Sequence, residues 1–264
     1  MAAYECISGI VTAAGAVLQN WAMNDADRLT VRETPGTPYL LNLWTDTVVP
    51  GILEVTSPRL HDIGNGLSFG CFGVGDPLRT ITHMEKLYSG DVLRVRQSGS
   101  PGVGDIDSGT LCLYYDSLPG LDQNLISFAE FKRRYVRSMS PTANVTPVMI
   151  GGYSPNLGGG PGGNPNFKAN TMYAVMGMTN NDLPVGTITY KGPDTCSLRI
   201  PLPRCNDSLH FACEWFLRLA QQFPELPMIP VFNSENRNNT FVESVHSSVI
   251  IPAGTVYFQL AQLS

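Results

Sequence analysis

Four histidines, His61, His83, His210 and His246, are the first residues to weigh for catalysis or metal binding. None belongs to an H-x-H pair with a following Glu, the arrangement that holds the ion in a metal enzyme of the cupin kind. No G-x-S-x-G turn offers a serine nucleophile. Each histidine therefore reads as an ordinary surface or core residue. Asp105-Ile106-Asp107-Ser108-Gly109 has the outline of a calcium loop or of an aspartyl phosphotransfer site. Calcium needs more oxygen ligands downstream, and Leu111-Cys112-Leu113 follows at once. Phosphotransfer needs an apolar strand ahead of the two Asp, where Ser98-Gly99-Ser100-Pro101-Gly102 stands instead. The stretch reads as a solvated hairpin loop. Cys6, Cys71, Cys112, Cys196, Cys205 and Cys213 include no C-x-x-C pair and read as free, mostly buried thiols. Gly158–Gly163 is not followed by Gly-Lys-Ser/Thr, so it is not a phosphate loop. No catalytic, cofactor-binding or metal-ligating residue is assigned, and the chain is not expected to be an enzyme.

Lys132, Arg133, Arg134 and Arg137 form the one basic cluster. Such cations suit nucleic acid, acidic lipid or a protein partner, and they are equally what a helix dipole favours near a C-terminus. The whole chain carries −5, with 17 basic and 22 acidic residues, which argues against a strongly electrostatic nucleic-acid binder. Only 15% of its 264 residues are charged, against about 25% in an average soluble chain. Arg outnumbers Lys 13 to 4, and 10 Tyr, 11 Phe, 9 Met and 3 Trp accompany it. Aromatics, Met and Arg are enriched at protein interfaces and Lys is depleted there. The composition thus suits an assembly subunit, with much of its surface covered by neighbours. No apolar run approaches the ~18–20 residues that cross a bilayer, and Met1–Asn20 lacks the basic start of a secretory signal. Synthesis in a reducing cytoplasm is expected.

Most periodic segments are short and alternate as half-buried strands do. In the first part they span Arg28–Glu33, Tyr39–Trp44, Ile52–Val55, Leu67–Phe72, Val92–Arg96 and Thr110–Tyr115. In the second they span Met172–Met178, Thr187–Tyr190, Ser197–Ile200, Met228–Phe232, Thr240–Val245, Val249–Ile251 and Thr255–Ala261. Two helices are expected: Leu121–Met139, stopped by Pro141, and Leu209–Phe223, behind an Asp207-Ser208 cap and ahead of Pro224. Between the parts, the Gly-rich stretch from Gly151 to Asn166 cannot bury a core and reads as an exposed loop.

An internal repeat organises these elements. Leu53-x-Val55-x-x-Pro58-Arg59-x-x-Asp62 aligns with Leu198-x-Ile200-x-x-Pro203-Arg204-x-x-Asp207, and at the same offset Gly109-Thr110-Leu111 aligns with Gly254-Thr255-Val256. Val92–Arg96 and Thr240–Val245 align after a slip of a few residues. The pattern indicates a tandem duplication. Pro58 and Pro203 would each end a strand, with Arg and Asp bracing the turn that follows.

Two all-β halves in tandem, with the paired Pro58-Arg59…Asp62 and Pro203-Arg204…Asp207 and the paired Gly-Thr strands, resemble a double jelly-roll major capsid protein. That lineage includes tailless, membrane-containing icosahedral phages of the corticovirus and tectivirus type, and the adenovirus hexon. The resemblance implies an all-β fold of two tandem jelly-roll β-sandwiches with two short helices. It divides the chain into a first jelly roll over 1–118, a linker with helix and Gly-rich loop over 119–168, and a second jelly roll over 169–264. It implies a structural subunit that forms pseudo-hexagonal homotrimers in an icosahedral virion shell, assembled in the host cytoplasm. Its partners would be itself, neighbouring capsomers and other virion proteins. Through the apolar segment Tyr4–Trp21 they would include a neighbouring capsomer or an internal membrane, unless that segment is simply a first strand or a packed helix. No cofactor is implied, and whether Lys132, Arg133, Arg134 and Arg137 touch nucleic acid is left open. The alternative reading is a carbohydrate- or receptor-binding β-sandwich protein.

Overall fold

The structure is a computed structural model. It describes residues 1–11, 18–23, 29–46, 51–61, 66–71, 79–98, 102, 107–145, 153–156, 167–180, 187–202, 214–245 and 254–264. The chain is all-β with two short helices among those residues, and every strand pairing is antiparallel. Strands of the first half are β1 (Ala3–Val11), β2 (Leu18–Asn20), β3 (Ala22–Met23), β4 (Pro38–Asp46), β5 (Gly51–Thr56), β6 (Leu67–Cys71), β7 (Arg79–Lys86), β8 (Arg94–Ser98) and β9 (Asp107–Tyr115). After them come β10 (Leu125–Ile126), helix α1 (Phe128–Arg134), β11 (Tyr135–Met139), β12 (Thr142–Val145), β13 (Tyr153–Asn156), β14 (Met172–Asn180), β15 (Thr187–Lys191) and β16 (Ile200–Leu202). Helix α2 (Trp215–Gln222), β17 (Ile229–Asn233), β18 (Phe241–Val245) and β19 (Gly254–Leu263) complete the chain.

The first half forms two sheets, β3-β1-β9-β4-β7 and β2-β8-β5-β6. The second forms β10-β17-β14-β19-β11, with β12 also on β19, and β13-β18-β15-β16. β11 and β12 lie end to end along one side of β19, pairing with 260–263 and 254–257, so together they act as one interrupted strand. With β3 and β10 set aside and β11 and β12 taken as one, each half has eight strands among the described residues, and numbering them in chain order gives sheets 1-8-3-6 and 2-7-4-5 in both halves. First pairs with last, second with seventh, third with sixth and fourth with fifth, as in a long hairpin folded over on itself.

Side-chain alternation along β1 and β9 explains how the layers stack. Both strands are buried along their whole length. Ala3, Ile7 and Val11 on β1 and Leu111, Leu113 and Tyr115 on β9 face the first core, against Leu53, Val55 and Val95 of the facing sheet. Tyr4 and Cys6, with Cys112 and Tyr114, face the other way into a second core with Tyr173, Trp215, Phe216, Met228 and Phe258. Tyr4 is the pivot: its ring centroid lies 5.3 Å from Tyr114 and 5.6 Å from Phe216, and its hydroxyl donates to the Met228 carbonyl at 2.7 Å. Gly9 and Gly109 stand opposite each other because the Trp21 ring lies across them; a Cβ at either would sit 2.4 Å from that ring.

Several expectations change. The helix expected over 121–139 is confined to Phe128–Arg134. Ser127 caps it, its Oγ accepting from the Glu130 N–H at 3.2 Å, and at Tyr135 the backbone turns extended to pair with the edge of β19. Leu121 packs in the first core and Leu125 against the second, so their helix-like spacing did not mark one helix face. The expected linker, 119–168, supplies β10, β11, β12 and β13 to the second set of sheets. The strand expected over 28–33 is reduced to one bridge, Thr30 to Val92. Asp107 and Ser108, expected in a solvated loop, are buried in β9. Helix α2 begins at Trp215, while 209–213, the Asp207-Ser208 cap and the strand expected over 249–251 lie outside the described residues. The Gly-Thr anchors fall on β9 and β19, and the slipped pair falls on β8 and β18, equivalent strands in both cases. The Pro-Arg anchor does not: Leu53 and Val55 belong to the fourth strand of their half, whereas Ile200 opens the fifth.

Two outcomes follow from this packing. Gln123 (3% exposed) takes the Tyr4 N–H on Oε1 at 2.8 Å and donates from Nε2 to the Tyr4 carbonyl at 2.7 Å and the Thr195 carbonyl at 3.3 Å. Gln123→Met keeps the bulk but strands both Tyr4 backbone groups, and is expected to cost about 3 kcal/mol, read as a lower urea midpoint at unchanged slope. Burial also holds the hydroxyls of Tyr4, Tyr114, Tyr115 and Tyr190 well above the usual tyrosine range, helped by Tyr114 beside Tyr4, Asp116 beside Tyr114, Glu5 beside Tyr115 and Asp194 beside Tyr190. Unfolding releases these protons once pH passes the unfolded value of 10.0. Stability is therefore full below that pH and falls above it by up to ~1.4 kcal/mol per pH unit for each tyrosine. For these four hydroxyls the rise in tyrosinate absorbance should come in one cooperative step, coincident with loss of the fold by circular dichroism.

Candidate interaction surface

The basic cluster, Lys132, Arg133, Arg134 and Arg137, lies at the second half's outer edge. Helix α1 carries Lys132, Arg133 and Arg134 in its last turn, where exposed carbonyls favour cations, and β11 continues with Arg137. Arg134 Nη1 pairs with Glu130 at 2.9 Å and its Nε donates to the Ser264 carbonyl at 3.1 Å, tying the helix to the chain end. Arg137 Nε donates to Gln262 Oε1 at 3.0 Å across the β11–β19 pair. Lys132 Nζ sits 4.8 Å from the centre of the Phe128 ring. Three of the four cations thus have a role within the fold, and Arg133 is exposed.

β11 itself is unlike its counterpart. β1 holds the same place in the first half and is buried throughout, with β3 paired to Gly9 and Ile10 on its outer side. β11 is exposed from Tyr135 to Ser138, and among the described residues no strand pairs with its outer edge. Tyr135 and Val136, 45% and 49% exposed, are two of six large apolar side chains open to solvent among the described residues. An open strand edge of this kind, with exposed apolar side chains and flanking cations, offers backbone groups with which another chain can pair. No periodicity marked it, because the segment's apolar residues fit a helix as well as a strand.

The remaining sequence candidates separate. Ser57 donates its N–H to His61 Nδ1 at 3.0 Å within the turn after β5, so His61 is a turn brace. His83 lies on β7, and His210 and His246 fall outside the described residues. Arg59 donates to the Ser89 carbonyl at 3.1 Å; Asp62, Pro203, Arg204 and Asp207 lie outside the described residues, as do Asp105 and Gly158–Gly163. Among the described residues no three His, Cys, Asp or Glu side chains converge as metal ligands would, and no helix is long and apolar enough to cross a membrane. Tyr4–Val11, part of the segment weighed as a membrane contact, is instead interior strand. Cys6, Cys112 and Cys196 are free thiols. Cys6 and Cys112 face each other across β1 and β9, and burial, with Asp122 and Asp194 nearby, pushes the Cys196 thiol up.

No protein-family model matches this chain, and no curated protein matches it. Among solved structures, the crystal structure of the PBSX exported protein XepA aligns over 99% of this chain and 86% of its own, at 12% identity and a TM-score of 0.22. A likeness at that level carries no argument about fold or function.

The cations should separate by stability. Arg134→Ala, which loses an exposed ion pair and a tie to the chain end, is expected to lower stability by up to about 1 kcal/mol. Arg133→Ala should change it by less than about 0.5 kcal/mol. Urea unfolding of both variants checks the difference.

Proposed function

We propose that this chain is the major capsid subunit of an icosahedral virion, a double jelly roll whose homotrimer forms a pseudo-hexagonal capsomer. The repeated strand order carries the reading. Eight strands wound as a nested hairpin into two facing sheets are how a jelly roll is built, and the order 1-8-3-6 with 2-7-4-5 occurs twice in one chain. Two similar halves side by side let three chains around an axis offer six similar flanks to a hexagonal lattice. The exposed edge of β11 supports such lateral contact, since neighbouring subunits supply the cover that this edge lacks within the chain. Its cations add to the fit: four of the 17 lie within six residues, so the rest of a neighbouring copy is more acidic than the total of −5. The role is structural, and no catalytic step is assigned. Light scattering on a sizing column is expected to give three times the chain mass, and electron micrographs of that peak six-sided outlines. A monomer at every concentration overturns the proposal.

A further inference from the structure

We infer that Cys6 and Cys112 are a latent disulfide, a covalent clamp between β1 and β9 that closes when a small disulfide oxidant replaces reducing surroundings. The register puts the two residues directly opposite each other. Opposed residues of an antiparallel pair come in two kinds, and the direction of the β1 backbone groups fixes the kind here. The Tyr4 N–H and carbonyl both go to Gln123, and the Cys6 N–H goes to the Arg199 carbonyl. Tyr4 and Cys6 thus turn their backbone away from β9, which makes Cys6–Cys112 a non-hydrogen-bonded pair. Such pairs hold their Cα atoms about 4.5 Å apart, and disulfides span Cα separations of roughly 4.4–6.8 Å.

The neighbouring pairs on the same face show how close these side chains come. On one side the Tyr4 and Tyr114 rings lie 5.3 Å apart, and on the other the Ser8 and Thr110 hydroxyls are hydrogen-bonded at 3.0 Å. Cys6 and Cys112 stand between these contacts on a ladder without a register shift. The Cys112 thiol lies 3.9 Å from the Leu113 carbonyl, a weak contact that rotation about its Cα–Cβ bond gives up at little cost.

Both residues are buried, 2% and 0% exposed, on the face that the second half covers. In a reducing compartment they stay thiols. Under oxidation, local opening of the junction of the two halves lets one cysteine thiolate attack a low-molecular-weight disulfide, and a mixed disulfide forms as one small thiol leaves. The second cysteine thiolate then displaces the other small thiol. Two protein thiols are oxidised, one small disulfide is reduced to two thiols, and the two cysteine protons pass to the leaving groups. The new bond closes a long loop and so restricts the unfolded chain. The clamp lies within one chain and stands whether that chain is a monomer or a trimer.

Oxidised glutathione tests it on the full chain, at about pH 8 where thiolate is available, in urea below the unfolding transition so that the junction opens. Peptide mapping without reductant is expected to show Cys6 joined to Cys112. The yield of that linked peptide should fall about tenfold when the same oxidation is run on the fully unfolded chain, where the other cysteines compete. Oxidation should raise the urea midpoint, and dithiothreitol should return it. In Cys112→Ala, and equally in Cys6→Ala, the oxidant should leave the midpoint where it was. Absence of the linked peptide, equal yield from folded and unfolded chain, an unshifted midpoint, or the same shift in the alanine variants overturns the clamp.

Discussion

Burying β1 leaves the backbone groups on its outer side away from water, and it is the second half of the chain that satisfies several of them. The Tyr4 N–H and carbonyl both go to the Gln123 amide, and the Cys6 N–H goes to the Arg199 carbonyl. Further along the strand, β3 pairs with Gly9 and Ile10. Gln123 here does what a neighbouring strand would do, with one side chain reproducing a donor and an acceptor of a ladder. Because Arg199 and Thr195 belong to the turn before β16, closing the edge of β1 also fixes where the second half sits. The faces then follow: Tyr4, Cys6, Cys112 and Tyr114 meet α2 and its neighbours, and one sheet becomes the middle layer of the molecule.

The junction is not free of cost. Among the described residues the buried hydroxyls of Tyr114 and Tyr190 and the buried indole N–H of Trp215 find no hydrogen-bond partner, and a buried polar group left so carries a penalty of about 1–3 kcal/mol. Large aromatic side chains outweigh it, since a fully buried one contributes roughly 1.5–3 kcal/mol and Tyr4, Tyr114, Tyr173, Phe216, Phe232 and Phe258 all lie in this core. Phenol and indole suit such a place better than aliphatic groups of smaller area, which is a reason for the chain's many tyrosines. The same strand position tells the halves apart. In the first half it is interior and bonded on its outer side at Tyr4, Cys6, Gly9 and Ile10; in the second it is β11, exposed and without a strand on its outer edge among the described residues.

Many strands were legible in the sequence. β4, β5, β6, β14, β15 and β18 lie within a residue or two of where alternation puts them. β1 was not, because its polar residues Glu5 and Ser8 stand three apart and give Ala3–Val11 no period of two. β11 was missed for another reason: Tyr135 and Val136 continue an apolar spacing that α1 begins, and only the waiting edge of β19 tells the backbone to extend. The repeat was legible where both copies fall on equivalent strands, at Gly109 on β9 and Gly254 on β19. It misled at Pro58-Arg59, where a strand-ending Pro recurs for local reasons on non-equivalent strands. The meeting of Glu5 and Arg32 with Lys191 and Arg199 around one small cavity could not be read at all, since these residues come together only through the packing of the two halves.

That packing also bears on the sparse charge. A single sandwich exposes the outer face of each of its sheets, and those faces need polar residues. Here the outer face of the middle sheet is covered from within the chain, so every second residue of β1 and β9 is free to be Tyr or Cys instead of Lys or Glu. Much of the shortfall to 15% charged residues therefore has a cause inside the molecule, and only six large apolar side chains stand open among the described residues. Composition then says little about neighbours by itself. What speaks for them is local: an edge strand that is exposed on its second-half side while its first-half counterpart is sealed by Gln123, Arg199 and β3.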